Sequence, residues 1–428
     1  MFPSIFLSAP ARRTVAEGLM VEHIARIGWP YEALGEALDA VRSLAALALQ
    51  RWVNLGLPFE TAADGQRLFD HAEVLNFPSS DRVRGQDRFF ADNMVASRRR
   101  MTADFHPGHH DLARPPPAPG TLPPRRFSVT LRRVFNLEGF SEGDRVRLRL
   151  PLPLEDAALR DLSVEALAPI ETEARLSRAP GRLDAILSGA IPPTASLGAR
   201  LRFTAYPAAG APPTAALSAE EAALYTRPQE GLINVSPRIV ALAADLAGSE
   251  TDPHRLMQRF WDFVLDHLNV GVIHYDEGEA ADMIETALRL GWSDCQAGTA
   301  LLISLCRARG MPARLVSGYQ LYATNPSLHY WCEVWFADTG WTPFDLLAWP
   351  LSRGGRDAAW RPYFFGAVDY RLKVEAFPRL FTGQGSVRLP RRWRQLHSTI
   401  LGGGAYSFVD AVSGVLAYRD EVCVRFER

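Results

Sequence analysis

Apolar positions along this 428-residue chain change their spacing from region to region, and each spacing predicts a different kind of element. Residues 14 to 104 read mainly as helices, as in Tyr31 to Trp52, where apolar residues fall on one helical face. From Phe127 to Tyr206 the pattern is alternation, as in Phe127-Ser128-Val129-Thr130-Leu131 and Val146-Arg147-Leu148-Arg149-Leu150. Alternation broken by turns predicts a β-sandwich. Helices near 236–247 and 253–268 follow, and the tail from Tyr406 to Phe426 reads as two or three strands finishing a sheet. Two proline-rich breaks separate these regions, the longer being HPGHHDLARPPPAPGTLPPRR, where proline density excludes helix and central strand. The predicted organisation is therefore a helical region at 1–105, a linker at 106–126, a sandwich at 127–206, and a catalytic domain with C-terminal strands at 217–428.

The catalytic assignment rests on residues 291–345. Ser293 and Asp294 can cap a helix whose apolar residues include Leu301, Leu302, Leu305 and Cys306, and which Gly310-Met311-Pro312 stops. Cys295 thus falls in the first helical turn, where the dipole and unpaired N–H groups favour thiolate over thiol. Strands are predicted over 313–322, 329–336 and 341–345. In the second, His329, Trp331, Glu333 and Trp335 share one face, while Tyr330, Cys332, Val334 and Phe336 share the other. Cys332 and Cys306 read as core. A tight hairpin centred on Asp338-Thr339 would set Asp345 opposite Cys332, so a wider loop or a bulge is required to bring Asp345 onto His329. Nucleophile, base and orienter follow one another in that order, the arrangement of a thiol enzyme.

Asp294-Cys295, the run Leu305 to Arg314, Ser317-Gly318-Tyr319, His329-x-Trp331-x-Glu333-Val334-Trp335 and Gly340-Trp341-x-Pro343-x-Asp345 together resemble the core of the transglutaminase-like superfamily in its bacterial form. His274-Tyr275 and Ala287-Leu288 fit the approach to its cysteine. The resemblance covers roughly 225–350 and implies an α+β, papain-like fold. It implies Cys295 as nucleophile, His329 as general base and acid, and Asp345 as the group that orients the imidazole. The Cys295 backbone N–H would serve as one oxyanion donor. Tyr275 would be the second by resemblance, or else a packed core aromatic. Trp292 and Trp331 flank the two main residues and are candidate walls of an acyl-binding groove. Many relatives carry Gly where this chain has Ser293 before the Asp-Cys pair, which bears on the shape of the acyl pocket.

Composition narrows the picture. Net charge is −1, which points to no nucleic-acid or membrane-surface partner. Four cysteines make no disulfide framework, and a free nucleophilic thiol suits a reducing compartment. MFPSIFLSAPARR lacks the basic start and apolar run of a signal peptide, and no stretch of about twenty apolar residues occurs, so a cytoplasmic location is expected. His106, His109 and His110 lack a matching Cys or carboxylate set for a metal. Asp276-Glu277-Gly278-Glu279 lacks calcium-loop spacing, and no cofactor is expected. Arg388, Arg391, Arg392 and Arg394 form a solvated face or a hold for a substrate carboxylate or a phosphopantetheine-bearing partner. Three functions stay open. One is a hydrolase of a peptide, amide or thioester carbonyl. Another is an amide-forming acyltransferase fed by a carrier-bound thioester, and the third is an inactive binding scaffold.

Overall fold

The structure is a computed structural model that describes residues 14–28, 34–70, 74, 77, 88–167, 175–179, 181–187, 189–270, 273, 282–322, 326–376, 392–401, 404–413 and 416–426. Tyr275, the acidic run 276–279, Arg388 and Arg391 lie outside these residues, as do the side chains of Arg392 and Arg394.

The N-terminal region holds α1 (Glu17–Gly28), α2 (Leu34–Asn54) and α3 (Arg88–Ala103), as the helical spacing predicts. It also holds a small sheet from Thr14–Ala16, Glu60–Thr61 and Arg67–Asp70, which the sequence reading did not foresee. Met20, Ile24, Leu49, Trp52 and Phe69 close over a core of their own. The proline-rich segment beyond α3 is pinned rather than free. His106 is buried with Nε2 3.3 Å from the Tyr363 hydroxyl, and Pro119 and Leu122 are buried too.

The sandwich strands are β1 (Arg125–Asn136), β2 (Val146–Pro151), β3 (Leu159–Leu167), β4 (Arg175–Ala179), β5 (Arg182–Leu187) and β6 (Thr194–Ala205). The catalytic region follows with α4 (Pro237–Ala247), α5 (Pro253–His267), α6 (Met283–Leu290), α7 (Cys295–Ala308), β7 (Ala313–Gln320), β8 (Ser327–Phe336), β9 (Gly340–Phe344), α8 (Ala348–Leu351) and β10 (Arg371–Ala376). Its sheet runs β9-β8-β7-β10, all antiparallel. An α+β architecture results, as expected.

The tail differs from expectation. β11 (Arg392–Leu401), β12 (Gly404–Ser413) and β13 (Leu416–Phe426) do not extend the catalytic sheet. They join the sandwich, whose larger sheet reads β11-β12-β13-β1-β6-β3 against β2-β5-β4. β13 pairs with β1 along its length, from Ala417 opposite Asn136 to Phe426 opposite Phe127. Alternation reveals which face of a strand is buried, not which strand it will pair with, so the C-terminal strands assigned to 217–428 belong with the sandwich.

The two larger bodies share a core. Tyr319, Leu321, Tyr322, Tyr370 and Leu372 of the catalytic region pack with Phe127, Leu201 and Val424 of the sandwich. Fully burying each such large side chain stabilises by roughly 1.5–3 kcal/mol, so this shared core ties the sheet that carries the site to the sandwich.

Candidate active site

The helix α7 starts where expected because Asp294 caps it. Its carboxylate accepts from the Ala297 N–H at 2.8 Å, a cap of about 1 kcal/mol. Gly310, left-handed at φ 72°, ends it. Between these ends every residue from Gln296 to Arg307 is buried, so α7 is a central helix rather than an amphipathic one. Ser293 does not cap. Its hydroxyl lies over Gly298, where an added Cβ would meet Oγ at 2.6 Å. The missing side chain at 298 therefore makes the room that the Ser293 side chain fills.

Tyr330, Cys332, Val334 and Phe336 face the same core as α7, as their alternation predicts. His329 therefore lies on the opposite face. It pairs across β7 with Gly318, where a Cβ would stand 2.1 Å from the Leu372 carbonyl oxygen. The absence of a side chain at Gly318 lets β10 close against β7 at the level of His329.

The β8–β9 register resolves the position of Asp345. The connection is Ala337-Asp338-Thr339, with Phe336 opposite Gly340 and Cys332 opposite Phe344. Gly340 is left-handed at φ 59°, and a Cβ there would crowd the Ala211 carbonyl oxygen at 3.0 Å. Relative to the tight hairpin this is a slip of one residue, and a slip of one reverses every side chain. It moves Asp345, just past β9, from the Cys332 face to the face of His329. Asp345 Oδ1 then lies 2.6 Å from His329 Nε2.

Asp345 is fully buried and fixed on three sides. Besides His329, the Leu347 N–H donates to Oδ1 at 2.8 Å and Arg371 Nη2 donates to Oδ2 at 3.1 Å. Burial works to raise its pKa, but His329, Arg371 and the Leu347 N–H outweigh it and hold the carboxyl below its usual range. Arg371 is itself buried. It pairs with Asp369 and donates to the Tyr322 hydroxyl at 3.2 Å, which in turn donates to Asp369 Oδ2 at 2.7 Å. Burial lifts the Asp369 carboxyl to about 6, Arg371 and Tyr322 offsetting part of the rise. Sequence reasoning did not find Arg371, Asp369 or Tyr322. Nothing in their spacing sets them apart from surface residues of the same types.

Cys295 is partly exposed, and the Tyr330 backbone, one residue past His329, is among the groups that act on its sulfur. The helix start does not by itself make a thiolate here. Burial raises the Cys295 pKa well above its ordinary value, and Asp294 and Asp345 add to the rise. The Tyr330 N–H and its own N–H only partly oppose it. These effects together favour the thiol form of the resting sulfur.

The remaining candidates fall into place individually. Trp331 is 2% exposed with its ring edge toward Gly318, so it packs the sheet and walls no open groove. Trp292 is partly exposed and packs on the α7 core, adjacent to Ser293 in a short parallel pairing with Asn269 and Val270. Glu333, on His329's face, is held by Arg314 at 2.8 Å and by Lys373 at 3.4 Å. Among the described residues, no group of three or more His, Cys, Asp or Glu could hold a metal ion.

A thiol at the start of a buried helix, beside a strand that carries a histidine backed by an aspartate, is the layout of a papain-like core. Residues 240–346, about a quarter of the chain, match the family model of the transglutaminase-like superfamily. No curated protein matches the sequence. The solved structures similar to it include a candidate cysteine protease from Cytophaga hutchinsonii. That likeness has 16% identity and a TM-score of 0.40, and covers 59% of this chain and 82% of the other. The periplasmic domain of TgpA from Pseudomonas aeruginosa is similar at 17% identity and TM-score 0.28, covering 57% and 96%. A candidate protease from Parabacteroides distasonis is similar at 9% identity and TM-score 0.24, covering 70% and 69%. At these scores the likeness bears on neither substrate nor reaction.

Proposed function

We propose that the protein is a cysteine-dependent acyl-transfer enzyme in which Cys295, His329 and Asp345 act as one unit. The observation that carries this reading is the 2.6 Å contact between His329 Nε2 and an Asp345 carboxylate fixed on its other side by Leu347 and Arg371. An ionised acceptor on Nε2 sets the tautomer that carries its proton there and presents Nδ1 as a base.

In the forward step Nδ1 takes the Cys295 proton, and sulfur attacks the carbonyl carbon of an amide, peptide or thioester. The tetrahedral oxyanion faces the Cys295 N–H at the open first turn of α7. The imidazolium then returns its proton to the leaving amine or thiol, leaving an acyl-enzyme. Water or an amine enters, gives its proton to His329, and attacks the thioester; the thiol leaves protonated. The raised Cys295 pKa supports this general-base route over a pre-formed thiolate. All four cysteines are free, which favours a reducing compartment and, on this reading, the cytoplasm.

Hydrolysis and amide formation share every step up to the second nucleophile, and a carrier-bound thioester is the alternative donor. The deciding experiment offers acyl thioesters and peptide amides to the enzyme with and without a primary amine, and follows products by mass spectrometry. Free acid in both conditions marks a hydrolase, and amide formed at the expense of acid marks a transferase. Failure of every donor to acylate, with Cys295 intact, would mark an inactive scaffold.

A further inference from the structure

We infer that Arg371, backed by Asp369 and Tyr322, is a positioning residue that holds Asp345 on His329 while its partner carboxylate keeps the added positive charge from reaching the thiol. The inference rests on the acyl-transfer reading above and adds the charge balance that Asp369 and Tyr322 give to Arg371.

Arg371 sits where a cation is costly, its side chain 3% exposed between two carboxylates that are almost fully buried. One arm of the guanidinium holds the Asp345 oxygen that His329 does not use, and the other holds Asp369. A rigid planar fork suits that two-sided grip in a way a lysine ammonium does not. The group also lies against the Tyr322 and Phe364 rings, 5.2 and 5.3 Å from their centroids, so it has little room to swing away. Position 371 is fixed from behind as well, because Tyr370 and Leu372 on either side pack into the sandwich core.

The charges give the arrangement a second role. Arg371 alone would neutralise Asp345 and weaken its support for an imidazolium. Asp369 supplies a counter-charge, so the Arg371–Asp369 pair is neutral and Asp345 keeps its own. The ionisable groups around the site include Asp294 capping α7, His329 and Tyr330 from β8, Tyr322 past β7 and Tyr418 from β13. Asp345, Tyr363 and Asp369 face it from the segments around β9 and β10, together with Arg371 and Glu375. Among these, Arg371 and Asp369 are the pair whose balance can be changed without substituting Cys295, His329 or Asp345.

The test uses the full-length protein and two probes. Iodoacetamide reports the pH midpoint of Cys295 alkylation. Nitrophenyl acetate reports deacylation of the acetyl-enzyme, the step in which His329 must take a proton from water. Asp369→Asn can keep its carbonyl on Arg371 and turn its NH2 toward the Tyr322 oxygen, but leaves one extra positive charge. At an effective dielectric of about 20, an uncompensated charge this near the site should lower the alkylation midpoint by about one pH unit. Arg371→Lys keeps the charge and loses the fork, so the midpoint should stay while deacylation falls about tenfold, the low end for partners that orient a reactive group. The pair Arg371→Met with Asp369→Leu removes both charges at once and should behave like Arg371→Lys. An unmoved midpoint in Asp369→Asn, or wild-type deacylation in Arg371→Lys, would overturn the inference. If the wild type forms no acetyl-enzyme, the acyl-transfer reading falls instead, and the Asp369→Asn midpoint still decides the charge arrangement.

Discussion

Asp345→Asn is the perturbation whose cost the geometry specifies best. The substitution keeps shape and removes one buried charge. Its amide has two orientations, and the contacts choose between them. With the carbonyl in the Oδ1 position it accepts from both His329 and Leu347, and the NH2 faces only Arg371. The reverse would set an NH2 against two donors, so the histidine tautomer survives and the loss is mainly electrostatic. An imidazolium and a carboxylate about 4 Å apart, at an effective dielectric of about 20, attract by about 4 kcal/mol. Arg371 offsets part of this, leaving about 2–4 kcal/mol, or roughly a 30- to 1000-fold loss in acylation. The melt should stay within about 3 °C, since Arg371 keeps Asp369 and Tyr322. The assay is single-turnover release of a chromophoric thiolate from an acyl thioester. His329→Ala should cost at least as much, and the double substitution little more, because the two act as a unit. A loss below about threefold, or additive losses in the double variant, would mean that Asp345 does not orient His329.

Other expectations follow from single contacts. Cys295 should react with iodoacetamide ahead of the buried Cys306, Cys332 and Cys423, Cys306 being pushed up to about 12 by burial. A raised thiol pKa means the reactive thiolate appears only as pH rises, so Cys295 labelling should climb steeply above neutrality. A plateau already reached near pH 6 would contradict the resting thiol. Glu333 is held ionised, Lys373 and Arg314 outweighing its burial. Its stabilisation is thus present above the unfolded carboxylate pKa and lost as pH falls through the lowered folded value. Glu333→Gln should cost about 3–5 kcal/mol in denaturant melts and abolish that acid-side loss, while leaving acylation per folded molecule unchanged. Reduced acylation there would make Glu333 the orienter. Gly298→Ala should destabilise through its contacts with Ser293 Oγ and Leu346 Cδ1, and Ser293→Gly should restore part of the loss in the double variant. Additive losses in chemical denaturation would refute that pairing.

The three candidate residues were legible because each carries its own local signal. Cys295 follows a capping aspartate, His329 opens an aromatic strand, and Asp345 closes the next strand. What could not be read was the contact between them. One residue of hairpin register decides whether Asp345 meets His329 or the core, and Gly340 in its left-handed turn supports that choice only once its surroundings are known. Arg371 and Asp369 were invisible for a different reason. A buried arginine has the same letter as a solvated one, and two of its partners, Asp345 and Tyr322, lie 26 and 49 residues away along the chain. The sandwich was legible from alternation, but its last strands were not, because β13 presents to β1 the same pattern it would present to any neighbour.

The central claim is a covalent acyl-enzyme on one sulfur. The most direct measurement is peptide mapping after a brief exposure of the wild type to an acyl thioester, quenched in acid and read by mass spectrometry. The account predicts one acyl group on the peptide that contains Cys295, accumulating in Asp345→Asn more slowly and absent in Cys295→Ala. An acyl group on any other residue, or turnover by Cys295→Ala, would contradict it.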